Sequence, residues 1–343
     1  MRTLVPLMVL VMLLTIVAYA GAQEGAICSP SDKMTICGFL QARYSGSDST
    51  VEDFSLRQMY VNLMGKVNEN AGFVLTLATF DPNPPGHASD DIVVFNLFGT
   101  YKFTDEWSVL LGQVPTFFGL EAWQSSSQRL ALERAAICEK GRTGVAADLF
   151  GFYFAHPSDR GLWVKRTGTE GQPDVYVGMC NGQFADTDAD SNKNVSLDVK
   201  WTRDWGMAGV SWLDGDLKWP NDATGTWNDR KAVDVYAKYL YRTWNLQGEW
   251  ADGKMLGTDR DGWYLQVSRV VEGKNYIPFV KYEEFNNVAA GVTMAEYDAI
   301  HAGVALQLDD KNQITFQITD ADVTNGSTTT DDFSFGASWQ TSF

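Results

Sequence analysis

Five charged residues crowd one stretch of this chain: Glu121, Arg129, Glu133, Arg134 and Arg142. No acid–base or nucleophile spacing joins them. Charges of both signs, close in sequence and flanked by segments of strand character, could face one another across a narrow wet opening. There, field strength and diameter decide which ions pass. The competing reading is that the same groups pair with a surrounding wall and pin the stretch in place. Covalent chemistry has little support elsewhere. The histidines His87, His156 and His301 lie far apart, and no H-E-x-x-H, G-x-S-x-G or P-loop pattern occurs. Asp186, Asp188 and Asp190 with Asn192 approach a calcium loop. Ser191 stands where that loop needs Gly and Leu197 where it needs Glu, so no metal and no cofactor is expected.

The elements that would position these charges alternate with period two, the mark of strands with two unlike faces. Within 195–202, Val195, Leu197, Val199 and Trp201 share one face, and Ser196, Asp198, Lys200 and Thr202 the other. Within 313–319, Ile314, Phe316 and Ile318 alternate with Gln313, Thr315, Gln317 and Thr319. About 16 such segments follow one another, an even count of the kind single-chain membrane barrels show. Their connectors also alternate. Brief ones such as Asn68-Glu69-Asn70, Arg203-Asp204-Trp205 and Thr243-Trp244-Asn245 are followed by long ones at 81–90, 182–193, 214–231, 285–296 and 321–331. The longest runs from 115 to 160, after the fifth segment. This predicts an all-β, antiparallel up-and-down barrel of about 16 strands crossing a membrane, with a long third loop.

Solvation explains why the sheet must close: in hydrocarbon every backbone N–H and C=O needs a partner. The polar faces then line a lumen. Gln58, Tyr60, Lys200, Lys238, Arg242 and Lys281 are expected on its wall, with Asp198, Asp234, Glu249 and Glu283. These mixed charges make no strong single-sign field, whereas selecting one anion would call for a ladder of Lys and Arg.

A positive start at Arg2, an apolar run from Leu4 to Ala18 and the A-x-A sites at Ala18-Tyr19-Ala20 and Ala20-Gly21-Ala22 describe a secretory signal. The expected division is a signal peptide at 1–22 and a barrel domain at 23–343. The net charge of −16 argues against nucleic acid. The 12 Trp suit interfacial girdles facing membrane lipid. Four cysteines fit an oxidising compartment. Cys28 and Cys37 could form a disulfide near the start of the barrel; Cys138 and Cys180 could form another or stay free.

A family resemblance adds to this. The block GQVPTFFGLEAWQSSSQRLALERA closely resembles the phosphate-selective porin O and P family, through Gly112, Gln113, Pro115, Phe118, Gly119, Leu120, Glu121, Ser125, Ser126, Glu133 and Arg134. The stretch FSLRQMYVNLMGKV at 54–67 resembles that family's second strand. Gln58 and Tyr60 stand where the family commonly carries arginine, and Arg57 falls on the opposite parity. The resemblance implies an outer-membrane barrel of a Gram-negative-type bacterium, a lumen narrowed by the third loop folded inward, and assembly as a homotrimer. The function expected is passive passage of small hydrophilic solutes or ions. A carbohydrate-selective pore, guided by Tyr60, Tyr236 and Tyr264, is the closer alternative. An outer-membrane enzyme and a non-conducting structural barrel are the more distant ones.

Overall fold

The structure is a computed structural model, and it describes residues 34–48, 50–80, 92–122, 124–138, 158–182, 192–217, 228–255, 257–289 and 292–343. Among them run sixteen strands: β1 Met34–Ser47, β2 Thr50–Lys66, β3 Ala71–Phe80, β4 Val93–Lys102, β5 Trp107–Val114, β6 Asp159–Arg166, β7 Asp174–Cys180 and β8 Asn194–Arg203, then β9 Gly206–Leu217, β10 Asn228–Tyr241, β11 Trp244–Met255, β12 Thr258–Arg269, β13 Tyr276–Ala289, β14 Val292–Gln307, β15 Asn312–Asn325 and β16 Thr328–Ser342. Each strand pairs with its neighbours in sequence, and β1 pairs with β16, so the sheet closes into a barrel. The seam is antiparallel, with Gln41 opposite Gln340 and Arg43 opposite Ser338. Gly38 and Phe343 exchange both backbone hydrogen bonds at 3.0 Å.

The faces sort as the alternation requires. On β15, Phe316 and Ile318 are 47% and 52% exposed, while Thr315, Gln317 and Thr319 between them are buried. The same holds on β10, where Val233, Val235 and Tyr239 point out and Asp234 and Tyr236 are buried. An exposed apolar band of this extent is untenable in water and is what a lipid-facing wall presents. No described helix is long and apolar enough to cross a membrane.

Two expectations need correction. The stretches 285–296 and 321–331 are not long connectors. β13 and β14 pair as far as Ala289 opposite Val292, and β15 and β16 as far as Asn325 opposite Thr328. The ladder continues where both faces meet water, so the oily-polar alternation fades although the hydrogen bonding does not. Second, Arg57 faces inward despite its parity. Phe54 and Leu56 are strongly exposed, whereas Arg57 and Gln58 are both buried. Two consecutive inward residues are the signature of an irregularity of the bulge kind, which re-aims a side chain. The stretch 144–154, whose type the sequence leaves open, lies outside the described residues.

Candidate functional site

The segment 115–138 follows β5, and the family motif supplies its fixings. Gly112 has a φ of 134°, and a Cβ there would lie 2.3 Å from the Leu97 carbonyl oxygen, so only glycine fits beside β4. Gln113 donates to the carbonyls of Val94 and Phe95 at 2.8 and 2.9 Å, where the β3–β4 register shifts. Phe117 then stacks on Tyr176 at 4.4 Å. Gly119 turns the chain with a φ of 72° and donates its N–H to Ser211 Oγ at 2.9 Å. The next two N–H groups, of Leu120 and Glu121, both point to the Glu249 carboxylate at 2.9 and 2.8 Å. One acidic side chain on β11 thus satisfies two backbone donors of an irregular segment, which would otherwise be costly to bury.

The returning half is held as firmly. Arg134 donates to the Glu121 carbonyl, and the Ala135 N–H to the Glu121 carboxylate at 3.2 Å. The Leu132 N–H meets Gln317 Oε1 at 2.9 Å, the Ala136 N–H meets Glu283 Oε2 at 2.8 Å, and Gln340 donates to the Ser127 carbonyl at 2.9 Å. Glu133 lies between two arginines: Arg43 bonds to one carboxylate oxygen and Arg57 Nη2 to the other at 2.8 Å. Apolar contacts complete the fit, with Phe118, Ile137 and Cys138 clustered against Leu213, Ala251, Tyr264 and Phe285. Burial pushes the Cys138 thiol well above its usual range, so it stays protonated.

His301 belongs to the same wall. Its Nε2 lies 2.7 Å from Glu283 and its Nδ1 2.9 Å from Thr319 Oγ1. Gln317 Nε2, whose amide is oriented by the Leu132 N–H on its oxygen, approaches Nδ1 at 3.2 Å. Nδ1 therefore serves as an acceptor, and Nε2–H donates to Glu283. A hydroxyl, an imidazole and a carboxylate in line resemble a nucleophilic triad. Here all three are buried beneath 115–138, and Glu283 is already taken by Ala136 and by Lys281 at 3.4 Å. Of the three, Glu283 holds the segment directly, through the Ala136 N–H.

The other expected residues distribute as follows. Arg129 is buried, and Arg142 lies outside the described residues. Gln58 donates to Gln41 at 2.9 Å, which donates to Ser338 at 3.0 Å. Tyr60 stacks on Phe39 at 5.0 Å. Lys200 lies 3.7 Å from Asp174 and over the Tyr176 ring at 5.6 Å, and Lys238 is half-buried on β10, opposite Met207 of β9. Lys281 is fully buried. Arg242 is not on the wall: it occupies the turn after β10, with its guanidinium 5.3 Å over the outward Tyr241 ring. Cys138 and Cys180 carry free thiols in separate clusters, so they form no bridge. Cys37 has a free thiol, and Cys28 lies outside the described residues, as do His87, His156 and the acidic trio at 186–190. Sequence reasoning missed Arg43, Gln317 and Gln340. Their only signal was an inward parity shared with Gln41, Thr319 and Ser338.

Among solved structures, the chain is similar to an anion-selective porin from Comamonas acidovorans, at TM-score 0.65 and 12% identity over 90% of this chain and 99% of that one. It is similar also to Pseudomonas putida OprB, at 0.67 and 11% over 91% and 94%. A trimer form of Vibrio cholerae OmpT gives 0.60 and 13% over 90% and 99%. At such identities these likenesses speak for the fold. No sequence among the curated proteins matches. The profile of the phosphate-selective porin O and P family matches residues 39–340. With the closed barrel, the oily outer wall and the motif residues fastening 115–138, that match means the chain belongs to the phosphate-selective porin O and P family and is an outer-membrane porin.

Proposed function

We propose that the protein is a non-enzymatic pore for small hydrophilic solutes or ions, narrowed by the loop 115–160, with Arg129, Arg134 and Glu121 beside the narrowing. The supporting observation is the hydrogen bonding of 115–138 to inward side chains of β9, β11, β13, β15 and β16 and to Arg43 and Arg57. A segment fixed at so many points holds a constant aperture. The neutralisation of Glu133 by two arginines, beside the acids Glu121, Glu249 and Glu283, favours weak ion selectivity over strong preference for one sign. The sugar-guiding reading loses ground, because Tyr236 and Tyr264 are 3% and 2% exposed and offer no open ring face. Removal of 1–22 on export, contact with membrane lipid and assembly as a homotrimer belong to the same reading, whereas the free thiol of Cys37 speaks against its pairing with Cys28. Single-channel recording with a salt gradient tests it: stepwise conductance with a small reversal potential is expected. A purified protein without conductance, or one passing anions almost alone, would refute it. Arg129→Ala should change conductance or selectivity.

A further inference from the structure

The outward face of β8 to β12 carries a trough. Register places Trp201, Ala208, Ala237, Gly248 and Leu265 in one lateral row, each directly opposite the next. Three successive positions of that row have a methyl group or no side chain. The row above holds Val210, Val235 and Trp250, and the row below holds Tyr239 and Leu246. The depression they enclose has a volume of about 670 Å³, and its lining is apolar and aromatic apart from Glu249 at its floor. Crossing four interstrand spacings, it is about 19 Å long, within reach of a long fatty acyl chain. Its exposed lining residues, among them Trp201, Val235, Trp250 and Leu265, belong to the lipid-facing band.

Two rows below, at the short-turn margin, Tyr241, Trp244 and Arg269 stand side by side. Arg269 lies over the Trp244 ring at 5.2 Å, and Arg242 over Tyr241 at 5.3 Å. Arg242 holds a left-handed φ of 53°, the one non-glycine residue among those described to do so. Glycine or asparagine would adopt it at less cost, and such outliers gather where a ligand is held. The acids of the same margin, Asp204 and Glu272, lie in the turns to either side. Four residues along a strand separate Arg269 from Leu265, about 13 Å, the separation of a lipid phosphate from the middle of its chains.

We infer that the outer wall of β8–β12 is a binding site for a glycerophospholipid of the short-turn leaflet, its phosphate on Arg242 and Arg269 and one acyl chain in the trough over Ala208, Ala237 and Gly248. Charge complementarity selects a phosphate headgroup, and the concave oily floor selects a chain. The site lies outside the lumen, so it stands or falls apart from the pore reading, which conductance reports.

Native mass spectrometry of the full-length protein in detergent, titrated with dioleoyl phosphatidylglycerol, tests this. One lipid per chain should be retained well above the statistical background. Arg242→Gln with Arg269→Gln should weaken that binding by about tenfold or more, and Ala237→Leu, which fills the trough, should abolish it with conductance unchanged. Ala208→Leu serves the same purpose if Ala237→Leu does not fold. Equal retention by the wild type and these variants would overturn the site. So would an oligomer that Ala237→Leu dissociates, because the trough would then be an interface between copies.

Discussion

Arg57 Nη2 lies 2.8 Å from Glu133 Oε2, with both side chains less than a tenth exposed. The pair joins β2 to the returning half of the 115–138 segment, and Arg43 on β1 completes it from the other side. Glu133→Gln would leave two guanidiniums facing a neutral amide in a dry setting. Removing one member of a buried ion cluster typically costs about 3–5 kcal/mol. The variant should unfold at lower denaturant and show larger, noisier conductance; Glu133→Gln with Arg57→Met should recover part of the loss in a double-mutant cycle.

Gly119 is the pivot of the motif. A Cβ there would lie 2.3 Å from Glu249 Oε1, and its φ of 72° is strained for any other residue. Gly119→Ala should therefore cost about 1–3 kcal/mol in backbone strain alone, besides displacing the carboxylate. A thermal melt in detergent would record the loss, and an unchanged melt would contradict the docking described.

Glu249→Gln keeps the shape but offers one carbonyl oxygen where two carboxylate oxygens now receive the Leu120 and Glu121 N–H groups. One N–H keeps a neutral carbonyl acceptor and the other faces the amide NH2, itself a donor, a deficit of about 1–3 kcal/mol. Hydrogen exchange at these two amides should accelerate about tenfold or more, while strand amides such as those of β15 keep their protection.

The turn after β14 has its own pH dependence. The Asp309 carboxylate accepts the N–H groups of Lys311 and Asn312 at 2.8 Å each and the Asn312 side-chain amide at 2.9 Å. These bonds, led by the Lys311 N–H, hold its pKa below the ordinary carboxylate value. A group depressed in the folded state stabilises above its unfolded pKa and loses that contribution as pH falls through the folded one. The turn should thus stay closed from neutral pH to about pH 4 and loosen only below. Carbon-detected NMR titration of Asp309 measures this; a midpoint at or above the free value would refute it.

Sixteen strands were legible because the bilayer enforces a two-residue period wherever one face is oily, as in Phe316–Gln317–Ile318. Above the bilayer that pressure vanishes, and the tips of β13–β14 and β15–β16 read as loops although they pair to Ala289 and Asn325. Strict alternation cannot reveal two adjacent inward residues such as Arg57 and Gln58. Arg242 shares the parity of Asp234, Tyr236 and Lys238 but stands one residue past the end of β10, where alternation no longer sets direction. The loop's partners were hidden for another reason. Glu133 meets residues 76 and 90 positions away, and that pairing is a product of closure which no local pattern encodes.

The seam between β1 and β16 unites residues 297 positions apart, as Gln41 and Ser338 do. Until those two edges meet, each exposes a row of unsatisfied backbone groups that hydrocarbon will not tolerate. Neither half of the ribbon can therefore settle in the lipid and wait for the other. Entry into the membrane and zipping of the last strand onto the first have to be one event, and it cannot start before synthesis of β16 is finished.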